Sequence, residues 1–300
     1  MPELPEVETV VRGLQHLVLG REIHHVKVKR FRIIRPEKPR TFEKQLSGRI
    51  IQKVERYGKW IAFRLSGDLT LWSHLGMTGQ FRWNDPDKYV RVIIQLNGQT
   101  ALYFSDIRLF GRMLIDPNNE PTPPGVPLGL DPILHKVSGK YLYDQFRSRK
   151  IAIKDILLNQ EIVAGIGNIY ASEILFDANL HPLRPADSLT LKECRTLAKS
   201  IGLILRQAID WCGTTLSDAR YQTLDGSSGD FQDFLKVYGR VTLPCLICNT
   251  PLERYVLHGR SGVFCPQCQR QLPPLKGGNI RGVNGISPLL CGGELKGGCL

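Results

Sequence analysis

The sequence contains no apolar run of about 18 residues, the length that a membrane-spanning helix requires. Its first ten residues contain neither lysine nor arginine, whereas a secretory signal peptide begins with basic residues. No internal repeat is present either. These absences argue against a membrane protein and against a secreted one, and we expect an intracellular protein. A length of 300 residues is sufficient for about two domains with a sizeable core.

Acidic residues are scarce relative to basic ones. The chain has 28 Asp and Glu against 40 Lys and Arg, which gives a net charge of +12. The excess is concentrated in residues 21–64, where fourteen Lys or Arg stand against four Glu, a net charge of +10. A basic face of this kind attracts a phosphate backbone and makes binding sensitive to salt. The alternative is a solvated basic surface that has no partner.

The eight cysteines are distributed in a way that favours a metal site over disulfides, which are rare inside cells. Cys245 and Cys248 form one Cys-x2-Cys pair, and Cys265 and Cys268 form a second pair sixteen residues later. Each pair can place two thiolates on one tight turn, and a hairpin between the pairs can bring all four together. With four cysteine ligands the shell is closed, so the sequence predicts one structural Zn²⁺. The alternative is four unrelated buried cysteines.

The first six residues, Met-Pro-Glu-Leu-Pro-Glu, are unusually constrained for a chain terminus. Removal of Met1 before the small Pro2 would expose a secondary amine, and an α-amino group has a pKa of about 7.7–8.0. Its unprotonated form can attack an electrophilic carbon and hold it as an iminium, with Glu3 within reach as acid or base. The alternative is a helix start, in which proline and acidic residues suit the first turn.

Apolar spacing predicts a helix from Glu3 to about Leu19, followed by short strands between Ile23 and Ile115. Further helices are predicted at about 139–147, 151–160, 167–177, 189–210 and, shorter, 229–238. We therefore predict an α+β multidomain protein with an N-terminal helix plus β-sandwich, a helical domain and a C-terminal zinc-finger β-hairpin. The predicted boundaries are residues 1–116 for the β-sandwich domain, 117–132 for a proline-rich linker, 133–240 for the helical domain, 241–272 for the zinc finger and 273–300 for a disordered tail.

Residues 163–170, Val-Ala-Gly-Ile-Gly-Asn-Ile-Tyr, form a glycine-broken turn that enters a predicted helix. Backbone N–H groups at the start of that helix are expected to face outward and to favour an anion, and Asn168 adds an amide donor. A Gly-x-Gly pattern is weak evidence alone, because it also occurs in nucleotide-binding loops. No strand or dinucleotide-binding spacing precedes this one.

The opening string, the 163–173 segment and the paired cysteines together resemble the formamidopyrimidine-DNA glycosylase family, and the resemblance extends over residues 1–271. It implies a helix-two-turn-helix domain, removal of oxidised purines from DNA, and strand cutting at the resulting abasic site. It also implies a monomer whose partner is double-stranded DNA containing oxidised bases or abasic sites. Such an enzyme would act in the cytoplasm, in association with the nucleoid.

The resemblance further implies roles for individual residues. Pro2 would attack the sugar C1′ and Glu3 would handle protons, while Lys59 and Arg260 would assist the elimination steps. Met77, Arg108 and Phe110 would occupy the gap left by an extruded base, a step that costs a few kcal/mol. The full set of implied DNA contacts is His74, Met77, Tyr89, Arg108, Phe110, Lys150, Lys154, Asn168 and Tyr238. By pattern alone, these positions also suit an edge-strand lysine, a core methionine or a solvated turn arginine.

Two positions depart from the family pattern. Leu109 replaces a residue that is usually basic, and the histidine that often precedes the Val90 strand is absent, which weakens the assignment of Tyr89. Residues 212–229 resemble the loop that closes over the flipped base. Two alternatives stay open: an endonuclease VIII-like preference for oxidised pyrimidines, which Leu4 argues against, and a non-catalytic binder of DNA structure.

Overall fold

The computed structural model describes residues 2–215, 224 and 226–270. The predicted tail, residues 273–300, and Met1 lie outside the described residues. So do residues 216–223 and 225, which belong to the predicted loop that closes over the flipped base.

The first helix, α1 (Leu4–Val18), agrees within a residue with the predicted range. Pro5 lies in its first turn, where the missing N–H group costs no hydrogen bond. Val7, Val11 and Leu14 lie on its buried face at helical spacing and contribute to the core of the β domain. The helix thus anchors the N-terminal residues on that domain.

Two four-stranded antiparallel sheets form the sandwich. One has the order β1 (Ile23–Val28), β6 (Val90–Leu96), β7 (Thr100–Asp106), β5 (Gly79–Trp83), and the other β2 (Ile51–Tyr57), β3 (Trp60–Leu65), β4 (Leu69–His74), β8 (Arg112–Asp116). Phe63 of the second sheet packs edge-on against Phe81 of the first, with 5.5 Å between the ring centroids, and Phe81 packs against Phe104 at 5.2 Å. These rings form part of the core between the sheets.

One segment of the β domain differs from the prediction of strands alone. Residues Phe31–Ile34 form a 3-10 turn and Pro39–Leu46 form a helix, α2. The helix buries only Phe42 and Leu46, four residues apart, among basic and polar side chains. Two apolar positions are too few for periodicity to reveal a helix, which explains why the sequence pattern did not predict it.

The proline-rich connection is packed against both of the domains that it joins. Val126 and Leu128 contact the outer face of the second sheet around Trp60 and Trp72. Leu130 pairs with Val163 in a parallel bridge, which attaches the connection to the helical domain.

The helical domain contains α3 (Gly139–Phe146), α4 (Ile153–Leu158), α5 (Asn168–Asp177) and α6 (Leu191–Asp210). A 3-10 turn, Phe231–Phe234, lies where a short helix is predicted. Eight of the ten residues of α5 are buried, so this helix is the centre of the domain. The helix-two-turn-helix arrangement of α4 and α5 is therefore held by packing on all sides.

The zinc finger is a hairpin of β9 (Glu253–Leu257) and β10 (Arg260–Phe264) between the two cysteine pairs. The Gln269 side chain donates a 2.9 Å hydrogen bond to the carbonyl of Leu180, and Phe264 packs on His181. These contacts dock the finger on the helical domain.

Within the described residues, no helix is both long enough and apolar enough to cross a membrane.

Candidate active site and nucleic-acid interface

The side chain of Glu3 joins the start of α1 to the start of α5. Its Oε2 accepts hydrogen bonds from the backbone N–H groups of Gly167 at 2.7 Å and Tyr170 at 3.3 Å, and its Oε1 accepts from Ile169 at 2.9 Å. A helix N-terminus favours an anion, and here the anion is a buried carboxylate from the same chain. The prediction that these N–H groups face outward is therefore wrong, although the group that they bind is an anion as predicted.

Two glycines make this close approach possible. A Cβ atom at Gly167 would lie 2.3 Å from Cδ of Glu3, and one at Gly165 would lie 2.5 Å from Cδ1 of Leu4. Gly165 also has a φ of +98°, which other residues rarely adopt. The Gly-x-Gly pattern thus serves the docking of the chain's first residues.

Glu6 is a second buried carboxylate at this junction, and the sequence analysis assigned it only to the helix start. It accepts from the backbone N–H of Glu3 at 2.7 Å, from the Tyr170 hydroxyl at 2.5 Å and from the backbone N–H of Thr214 at 2.8 Å. Burial and the nearby charge of Glu3 raise the pKa of Glu6. Burial and Glu6 in turn raise the pKa of Tyr170 well above its ordinary value. Only the Glu-x-x-Glu spacing hinted at this residue.

Lys59 is buried in the two-residue turn between β2 and β3. Burial lowers the pKa of Lys59, Glu3 and Glu6 partly oppose the shift, and the positive charge of Arg260 adds to it. The β domain, the start of α1 and the finger hairpin therefore each bring a charged group to one place. Pro2, next to Glu3, is also buried there. The structure thus brings together the four residues predicted to be catalytic.

Lys150 and Lys154, predicted to flank one phosphate backbone, occupy different environments. Lys150 is exposed, whereas Lys154 is 1% exposed. The Lys154 ammonium donates to the Ser172 hydroxyl at 3.0 Å and lies 5.0 Å from the ring centroid of Tyr255. Burial lowers the pKa of Lys154 to about 8. A contact between Lys154 and DNA stays a prediction.

Asp106, the last residue of β7, fixes the backbone of the loop between β7 and β8. This buried carboxylate accepts from the Thr78 hydroxyl at 2.5 Å and from the backbone N–H groups of Arg108 at 3.1 Å and Gly111 at 2.7 Å. The loop backbone is therefore fixed while its side chains are free to project. No sequence pattern marks Asp106 for this role, because its partners lie in two separate loops.

The projecting side chains are those predicted to replace an extruded base. Arg108 and Phe110 are exposed, and the guanidinium carbon of Arg108 lies 4.7 Å from the ring centroid of Phe110. Met77 is half-buried. Leu109, with a φ of +57°, packs against the core of the β domain. Its side chain is therefore directed to the protein interior, so this departure from the family pattern serves packing.

His74 has a defined hydrogen-bonding state. The backbone N–H of Gly76 donates to Nδ1 of His74 at 3.0 Å, so in the neutral ring the hydrogen is on Nε2. Burial lowers the pKa of His74 to about 4, assisted by the positive charges of Lys59 and Arg112. In the free protein at neutral pH, His74 is therefore a neutral donor.

Three further predicted contacts occupy distinct places. Tyr89 is half-buried between Lys88 and Arg91, whose charged groups lie 5.2 Å and 5.8 Å from its ring centroid. Asn168 donates from Nδ2 to the carbonyl of Ser261 in the finger at 3.0 Å, so its amide already has a protein partner. The backbone N–H of Tyr238 donates to Glu173, a buried carboxylate on α5 that also accepts from residues 236 and 237.

The four sulfur atoms of the finger lie within 4.8 Å of one another. The Sγ atoms of Cys248 and Cys265 are 3.4 Å apart, and those of Cys245 and Cys268 are 3.9 Å apart. Zn–S bonds of about 2.3 Å place the corners of a sulfur tetrahedron about 3.8 Å apart, so the cluster fits this metal. Because all four ligands come from protein, the zinc is structural.

Comparison with known proteins places this arrangement in a family. Residues 1–113 match the family described as the formamidopyrimidine-DNA glycosylase N-terminal domain, and residues 128–220 match the corresponding H2TH domain. Residues 243–271 match the zinc finger found in FPG and IleRS. The formamidopyrimidine-DNA glycosylase of Desulforamulus reducens is 41% identical over 277 residues, 90% of this chain and 99% of that protein. The chain belongs to the formamidopyrimidine-DNA glycosylase family.

Solved structures of the family have the same fold. The MutM (Fpg) protein of Thermus thermophilus superimposes with a TM-score of 0.82 at 40% identity, covering 91% of this chain and 100% of that one. The Lactococcus lactis Fpg in complex with DNA containing an abasic site superimposes with a TM-score of 0.83 at 30% identity, covering 90% and 100%. A further Lactococcus lactis complex contains Fapy-dG DNA.

Proposed function

We propose that this chain is a bifunctional DNA glycosylase and AP lyase that removes oxidised purines such as 8-oxoguanine and formamidopyrimidines. The observation that carries the proposal is the junction at Glu3, where a family-typical N-terminus meets α5 beside Lys59 and Arg260. Family members with this fold have been solved on DNA containing Fapy-dG or an abasic site, which supports the substrate class.

In the proposed reaction, Met1 is removed and the Pro2 nitrogen attacks C1′ of the damaged nucleotide. The bond between C1′ and the base breaks, the base leaves, and the sugar ring opens to give an iminium between Pro2 and C1′. Glu3 transfers the proton that ring opening requires at the sugar oxygen. Its three backbone donors fix the position of the carboxylate, so the proton is delivered from one defined place.

The iminium acidifies the hydrogen on C2′. Loss of that hydrogen as a proton expels the 3′ phosphate in β-elimination. Loss of a second proton from the sugar then expels the 5′ phosphate in δ-elimination. Lys59 supports these steps as a buried amine with a lowered pKa, and Arg260 by binding phosphate. Because Lys59 is less basic than an ordinary lysine, it exchanges protons more readily near neutral pH.

The DNA interface in this proposal has two parts. Arg108 and Phe110 enter the duplex with Met77, Arg108 donating to the orphaned cytosine and Phe110 filling the stack. His74 donates from Nε2 to a phosphate oxygen, and the basic face over residues 21–64 neutralises further phosphates. One chain supplies both sides of the site, so we propose a monomer that acts on the nucleoid in the cytoplasm.

Base release from matched duplexes tests this function. We expect faster single-turnover release of 8-oxoguanine opposite cytosine than of thymine glycol opposite adenine. Thymine glycol release at an equal or greater rate would show an endonuclease VIII-like enzyme. Tight binding of both duplexes without release of either base would show a non-catalytic binder.

Arg108→Ala tests whether Arg108 recognises the base opposite the lesion. We expect this variant to lose its preference for cytosine over adenine opposite 8-oxoguanine. Because the loop backbone is held by Asp106, the substitution removes the guanidinium without displacing Phe110.

A further inference from the structure

The turn of the finger hairpin carries a histidine that faces a carboxylate of the helical domain. Nδ1 of His258 lies 3.1 Å from Oδ2 of Asp155, which is in the first turn of α4. That oxygen is buried and has no hydrogen-bond partner among the described residues, so the contact is a close approach of the two groups and not a hydrogen bond. The His258 side chain is 73% exposed, and its imidazole can supply the charge opposite to that of the carboxylate.

The backbone of the turn does not by itself call for histidine. His258 has a φ of +46° and Gly259 a φ of +75°, so both central residues of this two-residue turn are left-handed. Asn-Gly is the sequence that best suits such a turn, because asparagine and glycine adopt positive φ most easily. The contact with Asp155 is what the histidine adds.

Arg260 lies between two anchors that attach the hairpin to the helical domain. On one side, His258 contacts Asp155 of α4; on the other, the carbonyl of Ser261 accepts from Nδ2 of Asn168 at the start of α5. The Arg260 side chain is exposed, and its charge reaches two buried lysines of the site. The position of its guanidinium therefore depends on both anchors.

Other charged and titratable groups surround the pair. Lys154 adjoins Asp155 on α4, Tyr255 and Arg260 lie on the hairpin, and Glu3 at the start of α1 acts on Lys154. Burial raises the pKa of Tyr255, and Asp155 adds to the shift. Burial lowers the pKa of Lys154 to about 8, while the charges of Glu3 and Asp155 partly oppose the shift. Asp155→Asn therefore acts on Lys154 as well as on His258, whereas His258→Ala leaves both Asp155 and Lys154 in place.

We propose that Asp155 and His258 are positioning residues that hold Arg260 at the phosphate beside the lesion. The proposal rests on the role given to Arg260 in the proposed function. The contact fixes the turn of the hairpin against α4 two residues before Arg260.

The ratio of δ-elimination to β-elimination products on a duplex with an abasic site tests the proposal. We would measure it at one fixed pH for the wild type, His258→Ala and Asp155→Asn. We expect the wild-type ratio to exceed that of either variant by about two- to five-fold, the range for a partly exposed pair of this kind. Because both substitutions remove the same contact, the double variant should be no worse than either single one.

Two controls define the outcome. Val256→Thr changes an exposed side chain on the same hairpin, and we expect it to match the wild type. Zinc content, measured for each variant, verifies that the finger is folded.

The same measurements in an Arg260→Ala background show whether the pair acts through Arg260. We expect His258→Ala to have no further effect there. Equal ratios for the wild type and His258→Ala would overturn the proposal, as would an undiminished effect in the Arg260→Ala background. If Arg260→Ala itself left the ratio unchanged, the role of Arg260 in the proposed function would fail as well.

Discussion

Glu3 is the residue on which the geometry of the proposed site depends most directly. It is fixed by three backbone donors of α5, and its own backbone N–H is held by Glu6. A carboxyl group held this firmly can pass a proton to one position without a search among rotamers. The same contacts join the two large domains, so in the proposed function catalysis and domain docking share one side chain.

Replacement of Glu3 by glutamine tests this double role. The glutamine has one acceptor oxygen, and its NH₂ group would face a backbone donor of α5. We expect base release in single-turnover assays to fall by at least about 100-fold. We also expect the free energy of unfolding in urea to fall by about 1–3 kcal/mol, the cost of an unsatisfied buried donor.

Glu8→Gln is the matched control, because Glu8 lies on the same helix but bonds Arg12 and Arg56. It should retain base release within about three-fold of the wild type, since it removes no proton-transfer group. Base release by Glu3→Gln at a comparable rate would contradict the assignment of Glu3.

His74 makes folding stability depend on pH. Its pKa in the folded protein is about 4, below the 6.5 of an unperturbed histidine, so the unfolded chain binds the proton more tightly. The contribution of neutral His74 to the free energy of unfolding is complete above about pH 6.5. It is lost as the pH falls toward 4, and the loss reaches up to about 3 kcal/mol. The free energy of unfolding in urea, measured at several pH values, should therefore fall less steeply toward acid pH for His74→Gln than for the wild type.

The exposed histidine His24 supplies the comparison for that experiment. His24→Gln should retain the pH dependence of the wild type. Identical slopes for the wild type and His74→Gln would show that His74 is not held in its neutral form.

At the scale of elements, the proline-rich connection acts as a structural part of both domains. Asp131, at its end, is fully buried and pairs with Arg56 of β2. The same carboxylate accepts from the backbone N–H of Gly58 at 2.7 Å, in the turn that carries Lys59. The connection therefore helps to position a proposed catalytic residue.

Asp131→Ala should accordingly lower the free energy of unfolding strongly. Among the described residues, it leaves the buried Arg56 guanidinium with Glu8 alone as an acidic partner, and removal of one member of a buried pair costs about 3–5 kcal/mol. We expect a loss toward the lower end of that range in urea unfolding, because Glu8 still pairs with Arg56. Asp144→Ala, which breaks the exposed pair with Lys140, should leave stability close to that of the wild type. A loss for Asp131→Ala no larger than that of this control would argue against a buried pair.

Over the whole molecule, the sequence predicted local features well. The range of α1, the spacing of the four zinc cysteines and the order of the family motifs all depend on short stretches of chain. Helix α2 was missed because only Phe42 and Leu46 mark its buried face. Local patterns therefore predicted which segments are present, with errors where few apolar residues are involved.

Contacts between distant segments could not be predicted in the same way. Glu3 meets Gly167 and Glu6 meets Tyr170, each across 164 residues, and Arg56 meets Asp131 across 75. No periodicity or spacing encodes such partners, because each depends on how complete domains pack. This is why the N–H groups at the start of α5 are predicted to face outward, whereas in the structure they donate to Glu3.

The three structural units meet at the proposed nucleophile. The β domain supplies Lys59, the helical domain supplies the donors that hold Glu3, and the finger supplies Arg260. In the proposed function, all three units therefore serve a single reacting atom, the nitrogen of Pro2.

Borohydride trapping on a duplex with 8-oxoguanine opposite cytosine, followed by peptide mass spectrometry, tests that assignment most directly. Reduction should convert the iminium into a stable amine between the protein and the deoxyribose. We predict that the sugar is attached to the peptide that begins with Pro2 and lacks Met1. A sugar attached to the peptide that contains Lys59, or efficient base release by protein that retains Met1, would contradict the account.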